Sequence, residues 1–243
     1  MSNPVGVFLK KVILGKSKNL LSLEDPFARM QRLLQGQRIT GILDAGASHG
    51  RISRKLLHRF PQAEVFAFEP NGLYSEILQQ YAREEPRFHP HFIALSDEKG
   101  RARLNLTTAP GSTSLLTPNQ RMQELFHADA SVESAVEVDV TTIDDWVQSN
   151  DDPAVQIMKF DIQGAELKAL RGAARTLRES TLAIYTEMWF NPGYEGGTLY
   201  GEMDAFLRSH GFILFDIYKP KYDPRGLLTW ANAIFVNPGR VKV

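Results

Sequence analysis

Short apolar runs alternate along the chain with segments in which apolar residues recur at intervals of three and four. The runs at residues 39–43, 63–68 and 155–160 are typical of strands buried on both faces. Residues 51–60 and 72–82 place their apolar side chains on one side of a helix. Because strands alternate with helices, the pattern predicts an α/β fold built on an open, mostly parallel sheet.

The rest of the chain contains further strand patterns and two segments with more than one interpretation. Additional strands are predicted at residues 88–95, 101–107, 135–141, 182–185, 212–218 and 229–236. Residues 109–134 show no clear periodicity, and they are either a substrate-side flap or irregular surface. Residues 189–197 combine aromatic residues with glycines, as in a mobile substrate rim. The alternative for that segment is a loop packed on the core.

The N-terminal segment differs in character from the alternating pattern. Residues 1–20 contain four lysines and no acidic residue, with apolar residues between them. Such a basic amphipathic helix is able to make a weak contact with an anionic membrane surface. The alternative is a solvated helix packed on the edge of the domain. With a second short helix expected at residues 24–36, we predict an N-terminal helical extension over residues 1–37 and a single domain over 38–243.

Acidic residues follow several of the predicted strands. Asp44 ends the first strand and is followed by a small-residue turn in which Gly46 and Gly50 let a ligand approach the backbone closely. Glu69 follows the second strand, where a carboxylate is able to accept hydrogen bonds from ribose hydroxyls; the alternative is a solvent-facing side chain. Asp161 ends a third strand. These acids predict an acidic crevice, which suits a cationic or hydroxyl-rich ligand better than a pyrophosphate.

Composition narrows the classes of function. Lys+Arg and Asp+Glu both number 28, and this zero net charge argues against a general nucleic-acid binder. The absence of cysteine excludes disulfides and thiolate metal sites and fits a cytoplasmic protein. No apolar run approaches about 18 residues, so we expect no transmembrane helix. The N-terminus also lacks the apolar core of a signal peptide.

Five stretches of the chain form a recognisable set of motifs: residues 43–50 (LDAGASHG), 68–70 (FEP), 94–97 (ALSD), 140–144 (VTTID) and 159–166 (KFDIQGAE). Together they resemble the class I S-adenosylmethionine-dependent methyltransferases of the FkbM type. The resemblance implies a seven-stranded Rossmann-like sheet with helices on both faces and an antiparallel last strand. It also implies methyl transfer, typically to a hydroxyl oxygen. Two residues depart from the family pattern, because Asn is usual at Ser48 and an acid at Gln163.

The resemblance also assigns roles to residues of the expected site. The cofactor S-adenosylmethionine would be bound by Asp44, Gly46, Ala47, Ser48, Gly50, Glu69, Pro70, Ala94, Ser96, Asp97 and Asp161. Of these, Glu69 would bind the ribose, and residues 94–97 would border the adenine. An alcohol acceptor must lose a proton, and Asp161 and Glu187 are the candidate catalytic bases. Each has a structural role as its alternative, and His49 is a further candidate.

Other functions remain open from the sequence. Asp161, Glu166 and Glu187 carry oxygen ligands that suit Mg²⁺, but we favour a site without metal, because Glu166 is also expected in the first turn of its helix. The expected acceptor is a small molecule or glycan: a sugar, glycolipid or secondary metabolite. A NAD(P)-dependent oxidoreductase would more often show G-x-G-x-x-G than the wider spacing found here. A non-catalytic S-adenosylmethionine-binding scaffold is the third alternative, suggested by Gln163.

Overall fold

The structure is a computed structural model, and it describes residues 24–126 and 130–242. The helices in these residues are α1 (Pro26–Leu33), α2 (Arg51–Arg59), α3 (Ser75–Glu84), α4 (Gln120–Phe126), α5 (Ile143–Ser149), α6 (Glu166–Arg171), α7 (Ala174–Glu179) and α8 (Tyr200–Ser209). The strands are β1 (Gly41–Ala45), β2 (Glu64–Phe68), β3 (Phe88–His91), β4 (Ala94–Leu95), β5 (Gly100–Thr107), β6 (Val132–Thr141), β7 (Ile157–Phe160), β8 (Ala183–Trp189), β9 (Ile213–Tyr222) and β10 (Leu228–Val236).

The main sheet has seven strands in the order β3-β2-β1-β7-β8-β10-β9. Strands β3, β2, β1, β7 and β8 pair in parallel, whereas the last strand of the chain, β10, lies antiparallel to both of its neighbours. The predicted Rossmann-like sheet with an antiparallel last strand is therefore confirmed. The strand order changes direction between β1 and β7, and ligands of open α/β sheets bind at such a point.

Helices cover both faces of this sheet, as predicted. Helices α1, α2 and α3 bury one apolar cluster against it, which includes Leu56 and Leu57. Helices α5 to α8 bury a second cluster on the opposite face. Successive residues of β1 contribute to different clusters, Ile42 to the first and Leu43 to the second, because side chains alternate across a strand. Each fully buried leucine or isoleucine contributes about 1.5–3 kcal/mol to folding.

A second, three-stranded sheet has the order β4-β6-β5. The single strand predicted at residues 88–95 is wrong, because the chain leaves the main sheet after His91 and pairs Ala94 and Leu95 with β6. An apolar run does not reveal a change of partner strand, and Pro90 on the edge strand β3 lacks an N–H for the ladder. The hairpin expected from residues 101–107 is confirmed by the antiparallel pairing of β5 with β6.

Strand β8 is longer than the sequence predicted. It runs to Trp189, so Glu187 lies within the strand and pairs with Asn232 of β10 instead of following the strand end. The extra length depends on the antiparallel β10, a partner that the local pattern does not reveal. Asp44 likewise lies inside β1, one residue before its end.

The N-terminal segment is described from residue 24 onward. Phe27, Met30 and Leu34 are buried in the same apolar cluster as α2, so α1 packs directly on the domain. The basic amphipathic helix predicted at residues 1–20 lies outside the described residues. Within residues 24–126 and 130–242, no helix has the length and apolar character needed to span a bilayer.

Candidate active site

A cleft opens at the carboxyl ends of β1, β2 and β7. Its empty volume, which includes space open to solvent, is about 820 Å³. The predicted site residues that line it are Gly46, Ser48, Glu69, Pro70, Ala94 and Asp161. The structure therefore brings the glycine turn, the acid after β2 and the acid after β7 to one cavity.

The turn after β1 needs residues that tolerate a left-handed backbone. Gly46 has φ +75°, and a Cβ on it would lie 2.0 Å from the carbonyl oxygen of Asp161, so no side chain fits there. Gly50 has φ +70° and caps α2. Ser48 also lies in the left-handed region, with φ 48°. Asn adopts this conformation more readily than Ser, which gives a physical reason for the Asn that the family pattern has at this position.

Glu69 joins the turn to the end of β2. Its Oε2 accepts a hydrogen bond of 2.8 Å from the Ser48 N–H, and its Oε1 accepts one of 3.0 Å from the Asn71 N–H. Burial raises the pKa of this carboxyl, and the two backbone donors offset part of that effect. The side chain lines the cleft, so its oxygens remain available to hydroxyl donors of a ligand.

Asp44 lies beneath the turn and does not line the cleft. It is fully buried, where Ser53 Oγ donates to its Oδ2 over 2.6 Å and Lys159 Nζ lies 2.9 Å from its Oδ1. Lys159 also donates to the carbonyl oxygens of Ala45 and Gly46, at 3.1 and 2.8 Å. Burial lowers the pKa of Lys159, but the charges of Asp44 and Asp161 outweigh it, and the net shift is upward. The pair thus supports the turn from below.

Lys159 was not among the predicted site residues. A lysine in the middle of the buried strand β7 was the available signal, because a buried charge requires a partner. Its partner, Asp44, comes from the adjacent strand β1. Sequence reasoning had assigned Asp44 to direct cofactor contact instead.

Asp161 follows β7 and is exposed to the cleft. Gln163 Nε2 donates to Asp161 Oδ1 over 2.7 Å, and the Tyr194 hydroxyl donates to Gln163 Oε1 over 2.8 Å. The Ser114 hydroxyl donates to the Gln163 carbonyl oxygen over 2.8 Å. An amide at position 163 is thus able to donate to Asp161, which an ionised acid in its place would not do.

Glu166 and Glu187 lie buried behind Asp161 and outside the cleft lining. The Ile162 N–H donates to Glu166 Oε1 over 3.0 Å, and burial raises the pKa of Glu166 to about 7, with a further contribution from the charge of Asp161. Burial, followed by the charges of Asp161 and Glu166, raises the pKa of Glu187 well above its ordinary value. This shift favours the protonated form of Glu187 more than in an exposed glutamate.

The segment that lacked periodicity forms one wall of the cleft. Residues 110, 111 and 113–115 line the cavity, and the residues that follow them are hydrogen-bonded to the loop after β8. Asn119 N–H donates to the Gly193 carbonyl oxygen at 3.0 Å, and Glu195 N–H to the Thr117 carbonyl oxygen at 2.9 Å. The aromatic loop is packed, because Trp189 and Tyr194 are buried in a small cluster of their own.

The remaining predicted residues lie outside the cleft lining. Ala47 is buried in the core, Gly50 caps α2, and Ser96 donates to the exposed Asp97 over 2.9 Å. His49 is exposed, with its ring edge-on to Tyr74. The sequence did not identify Tyr74, Ile93 or Leu104 as lining residues; they are apolar residues without a local signal. In the part of the chain that is described, no group of three His, Cys, Asp or Glu side chains is arranged to hold a metal ion.

Two curated proteins share sequence with this chain. The 2-O-methyltransferase NoeI of Sinorhizobium fredii (strain NBRC 101917 / NGR234) is 27% identical over 162 residues, which cover 64% of this chain and 65% of that protein. The match thus spans slightly less than two thirds of that relative. Methyltransferase sdnD of Sordaria araneosa is 25% identical over 193 residues, covering 70% of this chain and 73% of that protein.

A solved structure and a family model extend the comparison. Methyltransferase FkbM from Methylobacillus flagellatus KT superposes with a TM-score of 0.54 at 18% identity, over 82% of this chain and 44% of that one. At this identity the likeness is one of fold. The model of the methyltransferase FkbM domain matches residues 44–214, well over half of the chain. The chain therefore belongs to the FkbM methyltransferase domain family.

Proposed function

We propose that this protein transfers a methyl group from S-adenosylmethionine to a hydroxyl oxygen of a sugar, glycolipid or secondary metabolite. One observation carries the proposal: a single cleft reaches from the glycine turn and Glu69 to Asp161. A cofactor and an acceptor bound in the same cavity would meet there. Membership of the FkbM domain family supports methyl transfer, and the name of the relative NoeI, a 2-O-methyltransferase, supports an oxygen acceptor.

The residues present fit this cofactor. The cleft lining contains the carboxyls of Glu69 and Asp161 and, among the described residues, no lysine or arginine. Such a lining attracts the ammonium and sulfonium groups of S-adenosylmethionine and repels a pyrophosphate, which argues against NAD(P). Glu69 would accept hydrogen bonds from the ribose hydroxyls, and the apolar Ile93, Ala94 and Leu95 would border the adenine.

The chain's own residues would position the acceptor and take its proton. S-adenosylmethionine supplies a methyl group that its sulfonium already activates, so catalysis needs alignment and exclusion of water more than further activation. Asp161 would accept the proton of the attacking hydroxyl. Gln163 would hold the Asp161 carboxylate in place through its 2.7 Å hydrogen bond. Because Asp161 lines the cleft and the buried Glu187 does not, we assign the base to Asp161 and a supporting role to Glu187.

The wall formed by residues 110, 111 and 113–115 would complete the acceptor site. Pro110 and Leu115 place apolar surface there, and Thr113 lies between them in the lining. The Ser114 hydroxyl ties this wall to Gln163, so the base and the wall share one hydrogen-bonded framework. A hydroxyl-bearing acceptor placed beside Asp161 would be shielded from bulk water by these residues.

Thermal-shift measurements with S-adenosylhomocysteine and with NAD⁺ test the cofactor. Ligand at about 100 times its Kd adds about 2.7 kcal/mol, which for this chain length raises Tm by several degrees. We expect a shift with S-adenosylhomocysteine only. Glu69→Gln should lose most of the shift, whereas the control Asp97→Asn should keep it, because Asp97 lies outside the cleft lining.

Transfer of labelled methyl groups to sugar and polyol acceptors then tests the reaction. We expect transfer by the wild type and not by Asp161→Asn, which should still bind S-adenosylhomocysteine. A thermal shift with NAD⁺ alone would favour the oxidoreductase alternative. Binding of S-adenosylhomocysteine without transfer to any acceptor of the panel would favour the non-catalytic scaffold.

A further inference from the structure

The zero net charge of the chain conceals a strong separation of charge along the sequence. Residues 1–63 contain 11 of the 28 Lys and Arg residues but only three of the 28 acids, Glu24, Asp25 and Asp44. The remaining residues therefore contain 17 basic and 25 acidic residues. Such an asymmetry indicates a local interaction with a polyanion that the total charge does not reveal.

Within the described part of residues 1–63, helices α1 and α2 contain basic residues and no acidic residue. Helices α1 and α2 carry Arg29, Arg32, Arg51, Arg54, Lys55 and Arg59. The three acids of residues 1–63 all form ion pairs. Asp44 is buried in a pair with Lys159. Glu24 pairs with Arg32, and Asp25 pairs with Lys55 and Arg59. Among residues 24–126 and 130–242, no ion pair engages the exposed Arg51 or Arg54.

An apolar ridge lies next to these arginines. Leu73, in the short 3-10 turn before α3, and Ile77 in α3 are four residues apart and are 65% and 39% exposed, and neighbouring exposed apolar side chains of this kind mark candidate interaction surfaces. Tyr81 follows four residues later, and the Arg54 guanidinium lies 4.0 Å from its ring centroid. The N-terminus of α2 also contacts α3, because a Cβ on Gly50 would lie 3.3 Å from Leu78. Arg51, Arg54, Leu73 and Ile77 thus form one surface, here called the α2–α3 surface.

We propose that the α2–α3 surface docks on an anionic lipid bilayer. Arginines attract acidic headgroups, and exposed leucine and isoleucine side chains between them enter the headgroup boundary. A nucleic acid would satisfy the arginines but leave the apolar ridge exposed to water. A second copy of the chain would bring Arg51 and Arg54 of the two copies close together, which is unfavourable.

Docking would also place the cleft beside the membrane. Tyr74 lies between Leu73 and Ile77 in sequence and lines the cleft, so the ridge adjoins the cleft wall. Together with the proposed function, and resting on it, this position favours a lipid-borne sugar hydroxyl as the acceptor. The docking itself requires no methyl transfer and is measured without cofactor.

Co-sedimentation of the full chain with vesicles tests the docking. We expect binding to phosphatidylcholine vesicles with about 30% phosphatidylserine, little binding to pure phosphatidylcholine, and a decline with salt. Arg51→Glu/Arg54→Glu should lower the partition coefficient at least about tenfold, since each basic residue contributes roughly a fivefold factor. Acidic residues are tolerated in the first turn of a helix, so α2 should remain folded. Leu73→Ser/Ile77→Ser should weaken binding without any change of charge.

The matched control is Lys168→Glu/Arg171→Glu, with the same spacing and charge change on α6, which packs on the opposite face of the sheet. It should bind vesicles like the wild type, and thermal unfolding checks that each variant is folded. Equal binding to neutral vesicles, no binding, or no effect of the α2 substitutions would overturn the proposal. Tighter binding to RNA than to anionic vesicles would also overturn it. A failed S-adenosylhomocysteine shift, in contrast, would bear on the proposed function alone.

Discussion

Two groups of buried carboxyls lie below the cleft, and they differ in their partners. Asp44 is fully buried with a lysine at 2.9 Å and a serine hydroxyl at 2.6 Å. Glu166 and Glu187 are buried as deeply, yet no ion pair in the described residues joins either of them to a cation. Burial therefore raises the pKa values of the two glutamates, whereas the Asp44 site holds an ion pair. Residue type and burial alone do not decide whether a carboxyl is charged.

Asp161 lies between these two groups and interacts with both. Its charge raises the pKa of Lys159 on one side and those of Glu166 and Glu187 on the other. The Asp44–Lys159 pair supports the turn after β1, because Lys159 donates to the carbonyl oxygens of Ala45 and Gly46. Glu166 and Glu187 are buried, whereas the Asp161 carboxyl is exposed to the cleft. We therefore base the proposed proton transfer on Asp161. Substitutions in the Asp44–Lys159 pair test the support of the turn, and substitutions at Asp161 and the two glutamates test the proposed proton transfer.

Lys159→Met should have the largest effect on stability, because it removes the cation of the Asp44–Lys159 ion pair. It leaves Asp44 buried without a counter-ion and removes the donor to the Ala45 and Gly46 carbonyls. We expect a loss of about 3–5 kcal/mol in the free energy of unfolding, measured by urea denaturation. Asp44→Asn/Lys159→Met should recover part of the loss. Equal stability of Lys159→Met and wild type would show that the pair does not support the turn.

Asp161→Asn should lower the rate of methyl transfer by at least about a hundredfold, since the group that accepts the hydroxyl proton is lost. Affinity for S-adenosylhomocysteine should change little, and isothermal titration measures it. Glu187→Gln is the matched control, since a protonated carboxyl and an amide differ little in charge. A larger loss of rate in Glu187→Gln would transfer the role of base to Glu187.

Glu166→Gln should remove a pH dependence of stability. Burial raises the pKa of Glu166 to about 7, so the folded state holds its proton more tightly than the unfolded chain. The stability it contributes is complete below the unfolded pKa near 4.5 and is lost as pH rises through about 7. At about pH 8 the variant should therefore exceed the wild type by up to roughly 3 kcal/mol, and at about pH 4 the two should agree. Thermal unfolding across this range provides the measurement, and parallel curves would contradict the prediction.

Gln163→Glu should raise the pKa of Asp161, as burial and nearby charge raise the pKa values of the buried glutamates. It replaces the donor to Asp161 Oδ1 with a second acid, and the like charges repel. We expect the acidic limb of the pH–rate profile to move to higher pH by about one unit. Tyr194→Phe removes only the hydroxyl that orients the amide and should have a smaller effect in the same direction. An unchanged profile in both variants would leave Gln163 without a positioning role.

Ser48→Asn should have the smallest effect and serves as a test of the turn alone. Asn tolerates the left-handed backbone at φ 48° better than Ser, and the Ser48 N–H bond to Glu69 involves only the backbone. We expect a gain of about 0.5 kcal/mol, or a rise in Tm of roughly 1–2 °C. Ser48→Val should lose stability instead, because a β-branched residue is strained in that region. A loss in both variants would mean that the Ser48 side chain is itself required.

Much of the fold, and the position of Gly46 and Glu69 in the cleft lining, was predictable from the sequence. Apolar periodicity is local, and it identified the parallel strands and the helices that cover them. The glycine at position 46 and the acid at position 69 were also local signals, because a left-handed turn and a carboxylate after a strand are properties of short segments. These features required no knowledge of which segments meet in space.

The contacts between residues that are distant in the sequence were decided only by the tertiary structure. Lys159 becomes the partner of Asp44, Tyr194 the anchor of Gln163, and Glu187 an interior residue of β8, through neighbours that are distant in the sequence. The division of residues 88–95 between two sheets has the same origin. The charge of a buried carboxyl depends on its desolvation and on the donors and cations within a few ångströms. Those neighbours are set by how strands and loops pack, which no local pattern specifies.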